Sequence, residues 1–207
     1  EVGDVAHQLR ASLRGRAEPM VRVPELNAAT VKRLLDAGVR SFMFPNIKSA
    51  DEAREAVAAT RYPPRGIRGV AGTTRGAGYG RWPGYFAEAE NEICIVLQLE
   101  TAASVGLARE IGAIEGVDAL FIGPADLAAD MGHIGKPGTP DVQAVIAAGL
   151  ADIMAIGKPA GTLNFTLDAA LQQFSEGFDF IAVGGDGSLL AKQTTSIVEA
   201  FSKKLIT

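Results

Sequence analysis

The chain has 207 residues, of which 47% are apolar and 21% are charged, a composition typical of one globular domain. Its formal net charge of −4 argues against a nucleic-acid partner, because nucleic-acid-binding domains normally carry a basic excess. No apolar run approaches the roughly 20 residues needed to span a bilayer, so we expect no membrane partner. The single cysteine, Cys94, cannot form an intrachain disulfide, and a reducing cytoplasm is the expected location.

Helical and strand patterns alternate through the first half of the chain. The predicted elements are a helix at 2–13, a strand at 20–23, a helix at 28–37, a strand at 41–44, a helix at 50–60, a brief strand at 69–71, a glycine-rich loop at 72–83 and a helix at 84–91. Asn27 and Ser49 precede two of these helices, and such side chains cap a helix by accepting hydrogen bonds from its first-turn N–H groups. Gly38 predicts the end of the helix at 28–37.

The second half contains two short apolar runs, typical of strands buried on both faces. The first ends at Glu100 and the second at Pro124. Around them the sequence predicts helices at 102–114, 141–156, 167–176 and 188–201, strands at 159–163 and 180–183, and a loop at 125–140.

The order of these elements indicates the fold class. Seven predicted strands are each followed by a helix or loop, and an eight-fold parallel barrel has eight such steps. We therefore predict one α/β domain over residues 1–207, a (β/α)8 TIM barrel whose first strand is missing from this chain. A segment of a few tens of residues would precede Glu1. An open doubly wound sheet is the alternative fold.

Two carboxylates stand at the ends of the buried strands. Glu100 and Asp126 would emerge at the C-terminal edge of a parallel sheet, where such folds carry out their chemistry. Each taken alone is typical of a carboxylate that caps the following helix. Together they favour a divalent-metal site, since Mg²⁺ and Mn²⁺ accept two protein oxygens and keep water and substrate as other ligands. Arg22, between two valines of a strand, is either an ion-paired edge residue or a functional cation.

Five motifs occur along the chain in the order found in one enzyme family. They are V-R-V-P at 21–24, P-P-R-G-I-R-G-V at 63–70, L-Q-L-E-T at 97–101, E-G-V-D-A-L-F-I-G-P-A-D-L-A-A-D-M-G at 115–132 and F-I-A-V-G-G-D at 180–186. With these motifs the chain resembles the HpcH/HpaI family of class II, metal-dependent pyruvate aldolases. The resemblance implies a barrel fold and reversible cleavage of a 4-hydroxy-2-oxo acid into pyruvate and an aldehyde. It also implies a homo-oligomer, a hexamer or trimer of dimers, in which the C-terminal helix (188–203) is exchanged between subunits.

The resemblance assigns roles to individual residues. It makes Glu100 and Asp126 the ligands of Mg²⁺ or Mn²⁺, with Co²⁺ as a further candidate, and Arg22 the cation that stabilises the keto oxygen of pyruvate. The backbone N–H groups of Ala125 and Asp126 would hold the pyruvate carboxylate. Two more side chains complete the expected set, Gln98 beside the metal and Leu163 in the pocket wall. The family's base, a histidine in an acidic-His motif, would precede Glu1.

Several other residues have both a functional and a plain reading. His133, in the predicted loop, is a candidate base or a loop residue without a catalytic role, and Arg68 and Arg75 either contact the far end of the substrate or face solvent. The glycines at 184–187 form an anion site or a tight turn, and those at 76–80 a mobile lid or an interface loop. Two other functions stay open: a catalytically impaired subunit that binds metal and pyruvate, and a citrate-lyase-type enzyme acting on acyl thioesters.

Overall fold

The computed structural model describes residues 2–205 of the chain. The helices are α1 (Val2–Ser12), α2 (Ala28–Ala37), α3 (Ala50–Thr60), α4 (Tyr85–Glu88), α5 (Ala102–Gly106), α6 (Ala108–Gly112), α7 (Pro124–Asp130), α8 (Pro140–Ala155), α9 (Leu167–Glu176) and α10 (Asp186–Leu205), with 3₁₀ turns at Gly78–Gly80 and Ala89–Glu92. The strands are β1 (Met20–Arg22), β2 (Ser41–Phe44), β3 (Cys94–Leu99), β4 (Ala119–Ile122), β5 (Ala160–Asn164) and β6 (Phe180–Val183).

All six strands belong to one parallel sheet whose order follows the chain, from β1 to β6. The sheet curls as a half barrel, so the fold is α/β and resembles a TIM barrel. Every strand therefore ends at the same edge, and the segments that follow the strands lie close to one another.

The predicted strand at 69–71 is wrong. In the described sheet β2 pairs directly with β3, from Ser41 beside Cys94 to Phe44 beside Leu97, and no strand lies between them. The segment just before 69–71 is tied instead to the end of α3. The N–H of Ile67 donates to the carbonyl of Ala58 at 2.9 Å. The sheet described here thus has six strands where seven were predicted.

Two further differences lie after β3 and β4. The helix predicted at 102–114 is divided at Leu107 into α5 and α6. The predicted loop at 125–140 begins with a helix, α7, which has Pro124 in its first turn. Proline is favoured there because the first N–H groups of a helix have no intrahelical partner. Pro124 therefore starts a helix two residues after β4 ends.

The helix boundaries with the clearest end signals are confirmed. The Asn27 side chain accepts a hydrogen bond from the N–H of Thr30 at 2.9 Å, and the Ser49 hydroxyl accepts one from Glu52 at 3.2 Å. Gly38 closes α2 with a φ of 97°. Each cap contributes about 1 kcal/mol to stability.

The sheet has one face packed under helices and one facing the barrel interior. Alternate residues of the central strands, such as Leu97 and Leu120, are buried in the main core against the helices. The adjacent residues Val96 and Phe121 point to the inner face, where they pack with partly buried Phe180. On β5, Gly161 pairs with Phe121 on one side and Phe180 on the other, and a Cβ atom at Gly161 would come within 2.2 Å of the Phe180 ring.

The C-terminal helix differs from the others in its exposure. In α10 every residue whose side chain is described is exposed, including apolar Leu190, Ile197, Val198 and Phe201. Leu171 and Phe174 of neighbouring α9 are about 60% exposed as well. Across the described residues, no helix is both long enough and apolar enough to cross a membrane.

Candidate active site

The candidate site is built where successive strands end. Arg22 is the last residue of β1, Glu100 follows β3, and Asp126 lies in the first turn of α7, directly after β4. Parallel pairing aligns these ends, since Gln98 lies beside Phe121 and Leu99 beside Ile122. The sequence prediction that the strand ends would gather these residues at one edge agrees with this arrangement.

Glu100 is the buried acid of the site, with 7% of its surface exposed. Burial raises the pKa of its carboxyl above the ordinary value, and the adjacent charge of Asp126 raises it further. The backbone N–H of Asn46 and the charge of Arg22 act in the opposite direction. The Glu100 and Asp126 carboxyl groups lie close enough for their charges to repel, and a divalent cation between them would offset that repulsion.

Gln98 supplies a buried polar atom that has no partner. Its side chain points to the same interior as Glu100, is 7% exposed, and its Oε1 finds no hydrogen-bond donor. A buried acceptor without a donor is costly in a folded protein, and it suits a site that a polar ligand completes. This geometry is consistent with the predicted place of Gln98 beside a metal or substrate.

Gly123 makes room for these two side chains. A Cβ atom built there would lie 3.0 Å from Gln98 Nε2, 3.0 Å from Glu100 Cγ and 3.4 Å from Glu100 Oε1. Its φ of −87° is one that any residue adopts, so the space, and not the backbone, is what favours glycine. Sequence reasoning missed Gly123, although a glycine between a strand end and a helix-starting proline was the available signal.

A second missed residue is Asn46, in the segment after β2. It has a φ of 56°, and its backbone N–H lowers the pKa of the Glu100 carboxyl, against the effect of burial. The next residue, Ile47, donates its N–H to the carbonyl of Gln98 at 3.1 Å. From the sequence we predicted only that the strand at 41–44 ends before this segment.

The other predicted site residues are more exposed to solvent than Glu100 and Gln98. Arg22, Ala125 and Asp126 are exposed, and Arg22 is close enough for its charge to act on Glu100. The first N–H groups of α7, including those of Ala125 and Asp126, have no intrahelical partner, and no side chain caps this end of the helix. Leu163 is half-buried, and together with Ala125 it lines a cavity of about 380 Å³.

The donor set suits a small, hard divalent ion. Glu100 and Asp126 offer carboxylate oxygens, and Mg²⁺ or Mn²⁺ binds such sites with water and substrate as further ligands. Among the described residues no group of three or more His, Cys, Asp or Glu side chains is placed to hold a metal. The two carboxylates therefore fit an ion that substrate helps to bind, and do not fit a closed structural metal centre.

The two described histidines make other contacts. His133 Nε2 lies 2.6 Å from Asp141 Oδ2, at the start of α8, and both side chains are partly exposed. His7 lies on α1, exposed, with its Nδ1 3.5 Å from an Arg10 nitrogen. No described hydrogen bond or ion pair joins either ring to Glu100 or Asp126, so neither is assigned to the site.

Arg68 and Arg75 lie near the C-terminal end of α2, which leads into the start of β2. Arg68 is almost fully buried. It donates to the Tyr85 hydroxyl at 2.8 Å and lies 3.5 Å from Asp36. Arg75 approaches the Ala37 carbonyl at 3.5 Å. Their partners Asp36 and Ala37 are at the C-terminal end of α2, and no described hydrogen bond or ion pair joins either arginine to Glu100, which favours structural roles for them.

The glycine-rich segments also have local explanations. Gly76 packs so closely on α2 that a Cβ atom would lie 2.2 Å from the Leu35 carbonyl oxygen. The turn before α10 uses Gly184, with a φ of 83°, and Gly185, whose N–H donates to the Ser188 hydroxyl at 3.2 Å. These contacts favour a packed loop and a tight turn over a lid and an anion site.

The chain is similar over almost its whole length to known proteins of one family. The profile of the HpcH/HpaI aldolase/citrate lyase family matches residues 1–193. A pyruvate aldolase from Rhizobium etli is 43% identical over 202 residues, which cover 98% of this chain and 80% of that protein. A 4-hydroxy-2-oxovalerate aldolase from Rhodococcus jostii is 43% identical over 183 residues, which cover 88% of this chain and 70% of that protein.

A solved structure gives the same result for the fold. The crystal structure of an HpcH/HpaI aldolase/citrate lyase family protein from Burkholderia cenocepacia superposes with a TM-score of 0.94 at 40% identity. The match covers 98% of this chain and 81% of that one. The chain belongs to the HpcH/HpaI aldolase/citrate lyase family.

Proposed function

We propose that the chain is a divalent-metal-dependent aldolase that cleaves 4-hydroxy-2-oxo acids into pyruvate and an aldehyde. In this reaction the C4 hydroxyl gives its proton to a base, the C3–C4 bond breaks as the aldehyde C=O forms, and the electron pair is left on C3 as the enolate of pyruvate, which takes up a proton at C3 to give pyruvate. Its partners would be these small molecules, in the cytoplasm. The relatives named as pyruvate and 4-hydroxy-2-oxovalerate aldolases support this substrate class.

The observation that carries the proposal is the pair of Glu100 and Asp126. A buried carboxylate beside a second carboxylate is unfavourable without a counter-charge. Mg²⁺, Mn²⁺ or Co²⁺ held there would supply electrostatic stabilisation of the enolate oxygen. Gln98 would complete the site by offering its unpaired Oε1 to a water or a substrate hydroxyl.

Arg22 and the start of α7 would orient the substrate. The Arg22 guanidinium carries a fixed charge at the exposed end of β1, and it would donate to the keto oxygen as negative charge develops there. The uncapped N–H groups of Ala125 and Asp126 would donate hydrogen bonds to the pyruvate carboxylate. Leu163 would then limit the room left for the aldehyde portion.

Subunit assembly is part of the proposal. The exposed apolar side chains of α10 and of α9 are unusual for surface helices, and burial against another copy would remove them from water. We propose a homo-oligomer, a hexamer or trimer of dimers, in which the helix at 188–203 is exchanged between subunits.

A coupled assay tests the function. Pyruvate released from 4-hydroxy-2-oxovalerate is followed by lactate dehydrogenase and NADH, before and after EDTA treatment and after addition of Mn²⁺, Mg²⁺ or Co²⁺. We expect EDTA to abolish release and a metal to restore it. Glu100→Gln should lower kcat/KM by at least 100-fold. The matched control is Glu110→Gln, an exposed acid on α6, which should act like the wild type.

Other outcomes would support other functions. Activity that survives EDTA would refute the metal-dependent mechanism. Tight binding of Mn²⁺ and pyruvate without turnover would favour a binding subunit, and cleavage of an acyl thioester in place of the oxo acid would favour a citrate-lyase-type enzyme.

A further inference from the structure

Asn46 has a left-handed backbone conformation, which residues other than glycine seldom adopt. Within residues 2–205 it is one of two non-glycine residues with a positive φ, at 56°. Left-handed backbone is unfavourable for residues with a Cβ atom, and asparagine tolerates it better than most. Such a conformation persists when surrounding contacts require it, and it occurs often at functional sites.

The contacts on either side of Asn46 fix this turn against β3. Phe44, two residues earlier, is paired with Leu97, and Pro45 is buried. Ile47, one residue later, is 1% exposed and donates its N–H to the Gln98 carbonyl at 3.1 Å. The turn is therefore attached to the same stretch of β3 that ends in Gln98 and Glu100.

The hydrogen bond from Ile47 to the Gln98 carbonyl fixes the turn two residues before Glu100 in the chain. The Asn46 N–H is near enough to Glu100 to act against the rise in the pKa of that buried carboxyl, which agrees with a turn folded over the end of β3. The Asn46 side chain is exposed, so the role inferred for Asn46 is that of its backbone conformation.

We propose that Asn46 is a positioning residue whose left-handed backbone holds the Glu100 carboxylate in the orientation that binds a divalent cation. The inference rests on the proposed function, because it assigns Asn46 a role in that same site. Outer contacts that orient a metal-binding carboxylate typically change metal affinity by about 10- to 100-fold when they are lost.

Three substitutions separate the backbone from the side chain. Asn46→Gly keeps the left-handed turn without a side chain, whereas Asn46→Val strongly disfavours it and Asn46→Ala disfavours it less. The matched control is Tyr79→Val, since Tyr79 is the other described non-glycine residue with a positive φ. Tyr79 lies in the loop that packs on the end of α2, with its N–H donating to Thr74, so strain there leaves Glu100 untouched.

The measurement is the dissociation constant of Mn²⁺, obtained by titration with electron paramagnetic resonance detection on the whole protein. We expect Asn46→Val to weaken Mn²⁺ binding about 10-fold or more, Asn46→Ala to weaken it less, and Asn46→Gly to stay within about 3-fold of the wild type. Tyr79→Val should lower the melting temperature without changing Mn²⁺ affinity.

Two results would overturn the inference. Wild-type affinity in folded Asn46→Ala and Asn46→Val would show that the turn does not position Glu100, and an equal loss in Asn46→Gly would show that the side chain matters instead. The variant Glu100→Gln distinguishes failure of the Asn46 inference from failure of the proposed function. If Glu100→Gln leaves Mn²⁺ binding unchanged, the metal site itself is refuted, whereas an effect of Glu100→Gln without an effect at Asn46 refutes the Asn46 role alone.

Discussion

Replacing Gly123 with alanine tests the geometry of the site most directly. The new Cβ atom would lie 3.0 Å from both Gln98 Nε2 and Glu100 Cγ, closer than carbon atoms normally pack. Both neighbours are 7% exposed, so they can move away only by disturbing packed surroundings. The backbone at Gly123, with a φ of −87°, accepts alanine without strain, and the whole effect is therefore steric.

The expected magnitude follows from the number of contacts. One added methyl group in a packed site typically costs about 1–3 kcal/mol. Because the two side chains can shift by a few tenths of an ångström, we expect about 1.5 kcal/mol for Gly123→Ala, which lowers the melting temperature by about 3–6 °C in a chain of this size. Mn²⁺ affinity should fall about 10-fold or more, since Glu100 is displaced from its position.

Thermal unfolding by circular dichroism and Mn²⁺ titration measure the two effects. The control is Gly106→Ala at the end of α5, where a Cβ atom would meet nothing within 4 Å. Alanine there should leave Mn²⁺ binding unchanged and stabilise the helix by about 0.5 kcal/mol. If Gly123→Ala matched the wild type in both melting temperature and Mn²⁺ affinity, the close packing of Gly123 on Glu100 and Gln98 would be refuted.

Three further predictions concern other parts of the molecule. Burial and the charge of Asp118 raise the pKa of Cys94, so less thiolate is present at a given pH; iodoacetamide should label the native protein more slowly at pH 8 than the urea-unfolded one, and equal rates would contradict this. Arg68→Met should cost about 3 kcal/mol in urea unfolding, because the buried guanidinium and its hydrogen bonds are lost, whereas unchanged stability would rule out a structural role. Leu190→Asp combined with Val198→Asp should give a smaller species in light scattering, with an unchanged circular dichroism spectrum, if α10 joins subunits.

Local end signals explain why some elements could be predicted to the residue. The helices α2 and α3 begin after Asn27 and Ser49, whose caps form as expected, and α2 ends at Gly38. Where a segment's hydrogen bonds are decided by distant parts of the chain, the prediction failed. The segment near 69–71 includes the β-branched Ile67 and Val70, which favour a strand, yet the N–H of Ile67 bonds to the end of α3.

In the candidate site, too, some features could be predicted from the sequence and others could not. The convergence of Glu100 and Asp126 could be predicted, because parallel strands end at one edge and each acid follows a buried strand. The contributions of Asn46 and Gly123 could not, since they depend on how the turn after β2 is bonded to β3 and on distances of about 3 Å between side chains. Local sequence does not encode either quantity.

The glycine on β5 links the sizes of residues on three neighbouring strands. Gly161 lies between Phe121 and Phe180 in the sheet, and the Phe180 ring occupies the space that a side chain at position 161 would need. A larger residue at 161 therefore requires a smaller one at 180, so that Gly161→Ala with Phe180→Leu should be tolerated better than Gly161→Ala alone. Packing of the barrel interior around Gly161 thus depends on side chains from adjacent strands. Engineering of this part of the interior has to change positions 121, 161 and 180 together.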